Sequence, residues 1–174
     1  EMLSQSEKEV LLGAGGKSLV HLIQTDRSES VRASYGLYHM AILLPSREDL
    51  ADVFKHIAEL DYPFVGAADH GYSEALYLED PEGNGIELYR DKPVADWDIR
   101  EDGRIIGVTE ELSAQEIYEM GRKVVPFQIA SDTRMGHIHL SVRDSRVASA
   151  FYQKVLALSD KFTLPSASWI ASGD

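Results

Sequence analysis

Three side chains in this sequence combine chemistry and setting in a way that suggests a metal site: His39, Glu87 and His137. Glu87 stands in Ile86-Glu87-Leu88-Tyr89, a run with strand character. Side chains alternate along a strand, so Ile86 and Leu88 share one face and Glu87 and Tyr89 the other. A carboxylate at a strand centre is costly to bury unless it is paired or bound to a metal. His39 has apolar neighbours on both sides, Tyr38 and Met40, and the same parity sends it, like Glu87, to the face away from the helix of its unit. His137 repeats that setting, because His137, His139 and Ser141 alternate with Ile138, Leu140 and Val142. Two imidazoles and one carboxylate on a facial edge form the ligand set of non-haem Fe(II) oxygenases, with positions left for substrate and dioxygen. Mn(II) suits the same atoms, and Zn(II) accepts His and Glu ligands. A lone strand histidine is ordinarily just hydrogen-bonded and half-buried; recurrence at equivalent positions is what raises these three above that. His139 reads as a neighbour of the site rather than a ligand, His21 as structural and His56 as a helix surface residue.

The elements that must position these residues follow from local patterning. Leu37 to Leu44 reads as a strand, and Ser46 caps a helix to about Leu60, with Asp49 near the capping-box position. Leu50, Val53, Phe54, Ile57 and Leu60 recur at helical spacing and predict one buried face. Phe64 to Ala68 is a short strand, Ser73 to Glu79 another, and Ile86 to Arg90 a third. The last two are joined by Asp80-Pro81-Glu82-Gly83-Asn84-Gly85, where Pro fixes φ and Asn and Gly tolerate positive φ. The order is βαβββ. It restarts at Gly136 to Val142, followed by a helix capped at Asp144 or Ser145 and running to about Leu158, with Val147, Phe151, Val155 and Leu158 on its apolar side. Lys161 to Leu164 and Ser168 to Ala171 read as the next strands. An offset of 98 residues lays His39 on His137, Phe54 on Tyr152, Ile57 on Val155 and Leu60 on Leu158, an internal repeat. Glu9 to Leu12 and Ser18 to Gln24 form a hairpin about Gly13-Ala14-Gly15-Gly16, and Thr25 to Ser34 reads as a surface connection. The expected organisation is therefore α+β: residues 1–34 the C-terminal hairpin of a preceding unit, 35–91 a complete βαβββ unit, 92–134 a connector with a helix from Ala114 to about Gly121, and 135–174 an incomplete unit. The pattern reads as cut at both ends.

Composition narrows the function classes. Seventeen basic residues against 29 acidic give a net charge of −12, which opposes a nucleic-acid partner. The absence of cysteine excludes disulfides, thiolate catalysis and cysteine-type zinc sites. No apolar run approaches the roughly 20 residues of a membrane-spanning helix, and no signal-peptide pattern opens the chain. A cytoplasmic protein without a membrane partner is the expectation.

The Gly36-Leu37-Tyr38-His39 start and the Asp80-Pro81-Glu82-Gly83-Asn84-Gly85-Ile86-Glu87 end are similar to the ligand-bearing strands of the vicinal oxygen chelate superfamily, which includes glyoxalase I, bleomycin-binding proteins and type I extradiol dioxygenases. That resemblance implies paired βαβββ units whose curved mixed sheets enclose a metal cleft. A narrower motif, His70 followed by Leu76-Tyr77, Asp80-Pro81, Glu82-Gly83 and Glu87, resembles the extradiol ring-cleavage signature. Nearly the whole chain resembles the Bacillus-type catechol 2,3-dioxygenases, including Ser73-Glu74-Ala75-Leu76-Tyr77-Leu78 and Gly136-His137-Ile138-His139-Leu140. The resemblance implies Fe(II) held by His39, Glu87 and His137, with His70 and Tyr77 acting around a bound catechol- or hydroquinone-type diol and O2. It also implies a homodimer, since paired units commonly build dimers there. Two departures stand out. Ala68 precedes His70 by two residues where the signature carries Gly, Asn, Thr, Ile or Val. The ligands also fall on what read as the second and third units, where many relatives use the third and fourth, so those two units must pair; otherwise His137 drops out and His21 or a residue outside this chain replaces it. Two other readings stand beside this one: a glyoxalase- or epimerase-like lyase using Zn(II), Ni(II) or Co(II), and a metal-free small-molecule binding protein.

Overall fold

A computed structural model describes residues 1–25 and 35–172; most of the connection expected between Thr25 and Ser34 lies outside the described residues. The chain opens with β1 (Met2–Gln5), β2 (Glu9–Ala14) and β3 (Lys17–Ile23), an antiparallel three-stranded sheet in that order. Of these β1 carries no sequence signal beyond one apolar pair. The turn between β2 and β3 is only Gly15-Gly16, both at positive φ, so the strands run further toward each other than the four-residue turn allowed.

Next come β4 (Gly36–Leu43), α1 (Arg47–Glu59), β5 (Gly66–Asp69), β6 (Ser73–Glu79) and β7 (Gly85–Asp91). A single 3-10 turn, Val94–Asp96, precedes β8 (Glu110–Glu111) and α2 (Ala114–Met120). The chain continues through β9 (Arg134–Ser141), α3 (Ser145–Leu156), β10 (Ser159–Thr163) and β11 (Ser168–Ala171). Six of these strands form one mixed sheet in the order β8-β5-β6-β7-β4-β9. The β4–β7 pair is parallel and the other pairs are antiparallel. The 98-residue offset carries β4 onto β9 end for end, and these two repeats are direct neighbours in the sheet.

One face of the sheet is covered by α1. Ser46 caps that helix: its hydroxyl accepts the Asp49 N–H at 3.0 Å and donates to the Asp49 carboxylate at 2.6 Å. Leu50, Val53 and Phe54 pack on Leu76 and Leu88 of the sheet and on Ile117 of α2. Leu60 is exposed rather than part of the face, because the helix ends at Glu59 and Leu60 becomes its C-cap. A buried ion pair pins the helix start to the strands: Glu74 of β6 receives Arg47 at 2.9 Å and Arg90 of β7 at 2.7 Å.

The opposite face holds a smaller cluster, Ala41, Leu43, Ala75 and Tyr89 with Tyr77 against it. α3 departs from its expected role. Val147, Phe151 and Val155 are exposed, because β10 and β11 pair only with each other and do not join the large sheet beneath the helix as β5 to β7 do beneath α1.

Candidate metal centre

The site is laid out by strand register. Across β6, β7, β4 and β9, Tyr77 faces Glu87, Glu87 faces Ala41, and Ala41 faces His137. His39 lies two residues before Ala41 on the same face, flanked by Gly85 of β7 and His139 of β9. Ala41 is fully buried. In the register it stands between Glu87 and His137 and places only a methyl group there, which leaves both longer side chains room to reach His39. A bulge between Ala41 and Ile42 leaves Gly136 unopposed in β9. The Tyr89 hydroxyl occupies the space a Cβ at Gly136 would need, and the Tyr89 ring lies 5.2 Å from that of His137.

The three ligand atoms form a tight triangle. Glu87 Oε2 is 2.9 Å from His39 Nε2 and 3.2 Å from His137 Nε2, and the two nitrogens are 3.4 Å apart. Ligand atoms bound at about 2.1 Å with roughly perpendicular bonds lie about 3.0 Å from one another. The residues therefore fit one ion on a facial edge. Glu87 and His39 are buried, whereas the His137 side chain is 46% exposed, so the site opens on the β9 side. Burial lowers the pKa of His39; the Glu87 carboxylate opposes the shift, and His139 and His137 add to it. Burial likewise lowers that of His139, with His137 adding and Glu87 opposing. Both effects favour the neutral imidazole, the form that binds a metal.

Beside the triangle stands a second pair. His70 lies in the turn between β5 and β6, and its Nε2 is 2.8 Å from the Tyr77 hydroxyl. Burial, reinforced by the Glu87 carboxylate, raises the Tyr77 phenol well above its ordinary pKa and keeps its proton in place. The turn is held by Asp69, which accepts the Gly71 N–H at 2.8 Å and both short contacts of Lys92, at 2.7 and 2.6 Å. Gly71 sits at φ +81°, a left-handed conformation that suits glycine.

Residues 4–88 match the Glyoxalase/Bleomycin resistance protein/Dioxygenase superfamily. Over those residues the chain carries a domain of that superfamily. It is also 36% identical over 159 residues to a protein named Catechol-2,3-dioxygenase from Bacillus subtilis (strain 168), an alignment taking in 90% of this chain and 55% of that protein. The chain thus spans about half the length of the curated relative it matches. A crystal structure titled glyoxalase/bleomycin resistance protein/dioxygenase, from Alicyclobacillus acidocaldarius, superposes with a TM-score of 0.41 at 17% identity, over 53% of this chain and 74% of that one.

The superfamily match contains His39, His70, Tyr77 and Glu87 and ends before β9 and His137. His139 stands beside the triangle, its ring edge-on to His39 at 4.8 Å. His21 is remote in kind, an exposed residue of the first sheet 3.3 Å from Glu9. His56 is not simply a surface residue: its ring stacks on Phe127 at 4.0 Å and is half-buried, because the 122–130 segment folds back along α1. Sequence patterning overlooked the parts that make room. Gly85 and Ala41 could have been found as small residues in register with His39 and Glu87, had the parallel pairing been known. No helix among the described residues is long and apolar enough to cross a membrane.

Proposed function

We propose that this protein is an extradiol ring-cleaving dioxygenase, acting on a catechol- or hydroquinone-type aromatic with O2 at a non-haem Fe(II) or Mn(II) held by His39, Glu87 and His137. The observation that carries this reading is the facial triangle of two imidazoles and one carboxylate, with the hydrogen-bonded His70–Tyr77 pair beside it. The name of the Bacillus subtilis relative supports the same reaction class. A metal in the triangle supplies Lewis acidity toward the diol and a path for electrons between diol and dioxygen. In the reaction the ring carbon–carbon bond beside a hydroxyl breaks and both atoms of O2 enter the product, so no outside reductant is consumed.

The protein's own groups do the rest. His39 and Glu87, both buried, would hold two of the three positions, and the exposed side of His137 leaves access for the diol. His70 serves as acid–base group toward a diol hydroxyl, a role that suits imidazole because it ordinarily titrates near neutrality. Tyr77 contributes a phenol that stays protonated and can hydrogen-bond substrate oxygen. A lyase would use the same triangle but gives no account of the His70–Tyr77 pair.

The test is metal analysis of anaerobically purified protein together with oxygen uptake on catechols and hydroquinones. Near-stoichiometric iron or manganese with uptake is expected. Zinc or nickel without uptake would replace this reading with the glyoxalase-like lyase, and a metal-free protein that binds small molecules would replace it with a binding role.

A further inference from the structure

His70 is held from two sides by groups of different character. On one side its Nδ1 is 3.0 Å from the main-chain oxygen of Val108, and on the other its Nε2 is 2.8 Å from the Tyr77 hydroxyl. A carbonyl oxygen can only accept a hydrogen bond, so Nδ1 must carry the hydrogen at that contact. In the neutral ring Nε2 is then the lone-pair nitrogen, and the Tyr77 O–H donates to it. Resting on the ring-cleavage reading above, we propose that the Val108 carbonyl is a positioning group for the reaction: it fixes the tautomer and orientation of His70, so that every proton His70 exchanges passes through Nε2 and the Tyr77 hydroxyl.

Val108 belongs to a strap, residues 97–108, that lies outside the span matching the superfamily. The strap is tied down at several points. The Trp97 indole N–H donates to the Lys92 carbonyl at 2.8 Å, and the Lys92 N–H to the Tyr72 carbonyl at 2.8 Å. Lys92 itself holds Asp69 at the start of the His70 turn. The Ile106 N–H donates to the Asp98 carbonyl at 2.9 Å. The Val108 N–H donates to the His70 carbonyl at 3.1 Å, so His70 and Val108 grip each other through main chain and side chain together. Gly107 leaves room for this, since a Cβ there would stand 2.8 Å from the Tyr72 ring. The strap is thus anchored to the residues on both sides of His70, and orientation of the imidazole follows from it.

The proton inventory is simple. As a diol hydroxyl gives its proton to the Tyr77 oxygen, the Tyr77 proton moves to Nε2, and the ring becomes imidazolium with Nδ1–H still on Val108. The reverse transfer returns the proton to an oxygen of the ring-opened product. No net proton is lost, and Tyr77 is a phenol before and after.

Two measurements test the assignment. The first is 15N NMR of the imidazole rings in the metal-free and zinc-loaded protein, at a pH where His70 is neutral, with its signals identified by their loss in His70→Asn. A protonated Nδ1 and an unprotonated Nε2 are expected; the opposite tautomer, or an even mixture, would overturn the proposal. The second replaces Thr109 by its α-hydroxy acid, which turns the Val108 carbonyl into an ester and weakens it as an acceptor. In the iron-loaded protein kcat for oxygen uptake should fall about tenfold with KM and iron content unchanged, and the tautomer should become mixed. Unchanged kcat and an unchanged tautomer would overturn it. If the unaltered protein takes up no oxygen with any diol, the ring-cleavage reading fails, while the NMR result still decides the state of His70.

Discussion

Gly85 is the direct partner of His39 across the parallel β4–β7 pair, and a Cβ on Gly85 would lie 2.9 Å from the Cβ of His39 and 2.5 Å from the Tyr38 carbonyl oxygen. The glycine that closes the Asp80–Gly85 turn therefore also sets where the imidazole can stand. Gly85→Ala should push the two strands apart at this point. Metal affinity should weaken by about 10- to 100-fold, the range found when groups supporting a ligand are changed. Zn(II) titration against a competing chelator measures this, and an unaltered affinity would show that the turn does not govern the site.

Ala41 makes a sharper test, because it lies between Glu87 and His137 and touches neither chemistry nor solvent. Ala41→Leu would fill the room that lets both ligands reach His39, and overpacking of this kind costs about 1–3 kcal/mol of stability. The expected outcome is a folded protein, by circular dichroism, that has lost most of its metal. Ala41→Gly should keep the metal and lose only about 1 kcal/mol of stability, from strand propensity.

Glu87 is buried against two imidazoles. Glu87→Gln preserves shape but removes the negative charge, so metal retention through gel filtration should be lost. Full iron occupancy with normal oxygen uptake in this variant would sink the ligand assignment.

How far this site could be read from sequence depends on what kind of information placed each part. Strand parity put His39 and Glu87 on the face away from α1, and that is local information. The 98-residue repeat singled out His137 as equivalent to His39, but not that β4 and β9 are antiparallel neighbours with Ala41, rather than His39, opposite His137. That pairing is long-range and leaves no periodic trace. α2 was legible through Ser113, whose hydroxyl accepts the Glu116 N–H at 3.3 Å. β8 was not: two exposed glutamates, Glu110 and Glu111, become a strand only because the edge of β5 is there to pair with. For α3 the apolar spacing was real, but the burial of Val147, Phe151 and Val155 it predicted depends on a sheet that β10 and β11 do not extend. The Val108 carbonyl had no signature at all, since every residue has one.

The Asp69–Lys92 contact gives the His70 turn an acid-side limit. Burial alone would raise the Asp69 carboxyl, but the hydrogen bonds from Lys92 and the Gly71 N–H outweigh it and hold the pKa below the ordinary value. A carboxyl with a depressed folded-state pKa binds fewer protons folded than unfolded, so stability rises with pH between the two values. Its contribution, about 1 kcal/mol for a partly exposed pair, is complete above the ordinary aspartate pKa near 4. It is lost as pH falls through the depressed value. Urea unfolding of the protein and of Asp69→Asn should differ at neutral pH and converge in acid. A constant difference at all pH values would mean that the charge of Asp69 is not what holds the turn.

Tyr77→Phe separates binding from chemistry. The hydroxyl touches His70 and stands beside Glu87, yet it is not a member of the triangle, so removing it should leave metal content intact. Two effects then compete. Loss of a hydrogen bond to bound substrate alone would raise KM and leave kcat nearly unchanged. Loss of a proton relay would lower kcat by about 10²- to 10³-fold with KM little altered, the scale of general acid–base catalysis. The geometry favours the second outcome, because the phenol is the group on His70 Nε2 and nothing else among the described contacts reaches that nitrogen. Steady-state oxygen uptake on the best diol distinguishes them directly. A KM effect without a kcat effect would leave Tyr77 as a substrate contact and remove it from the path of the proton.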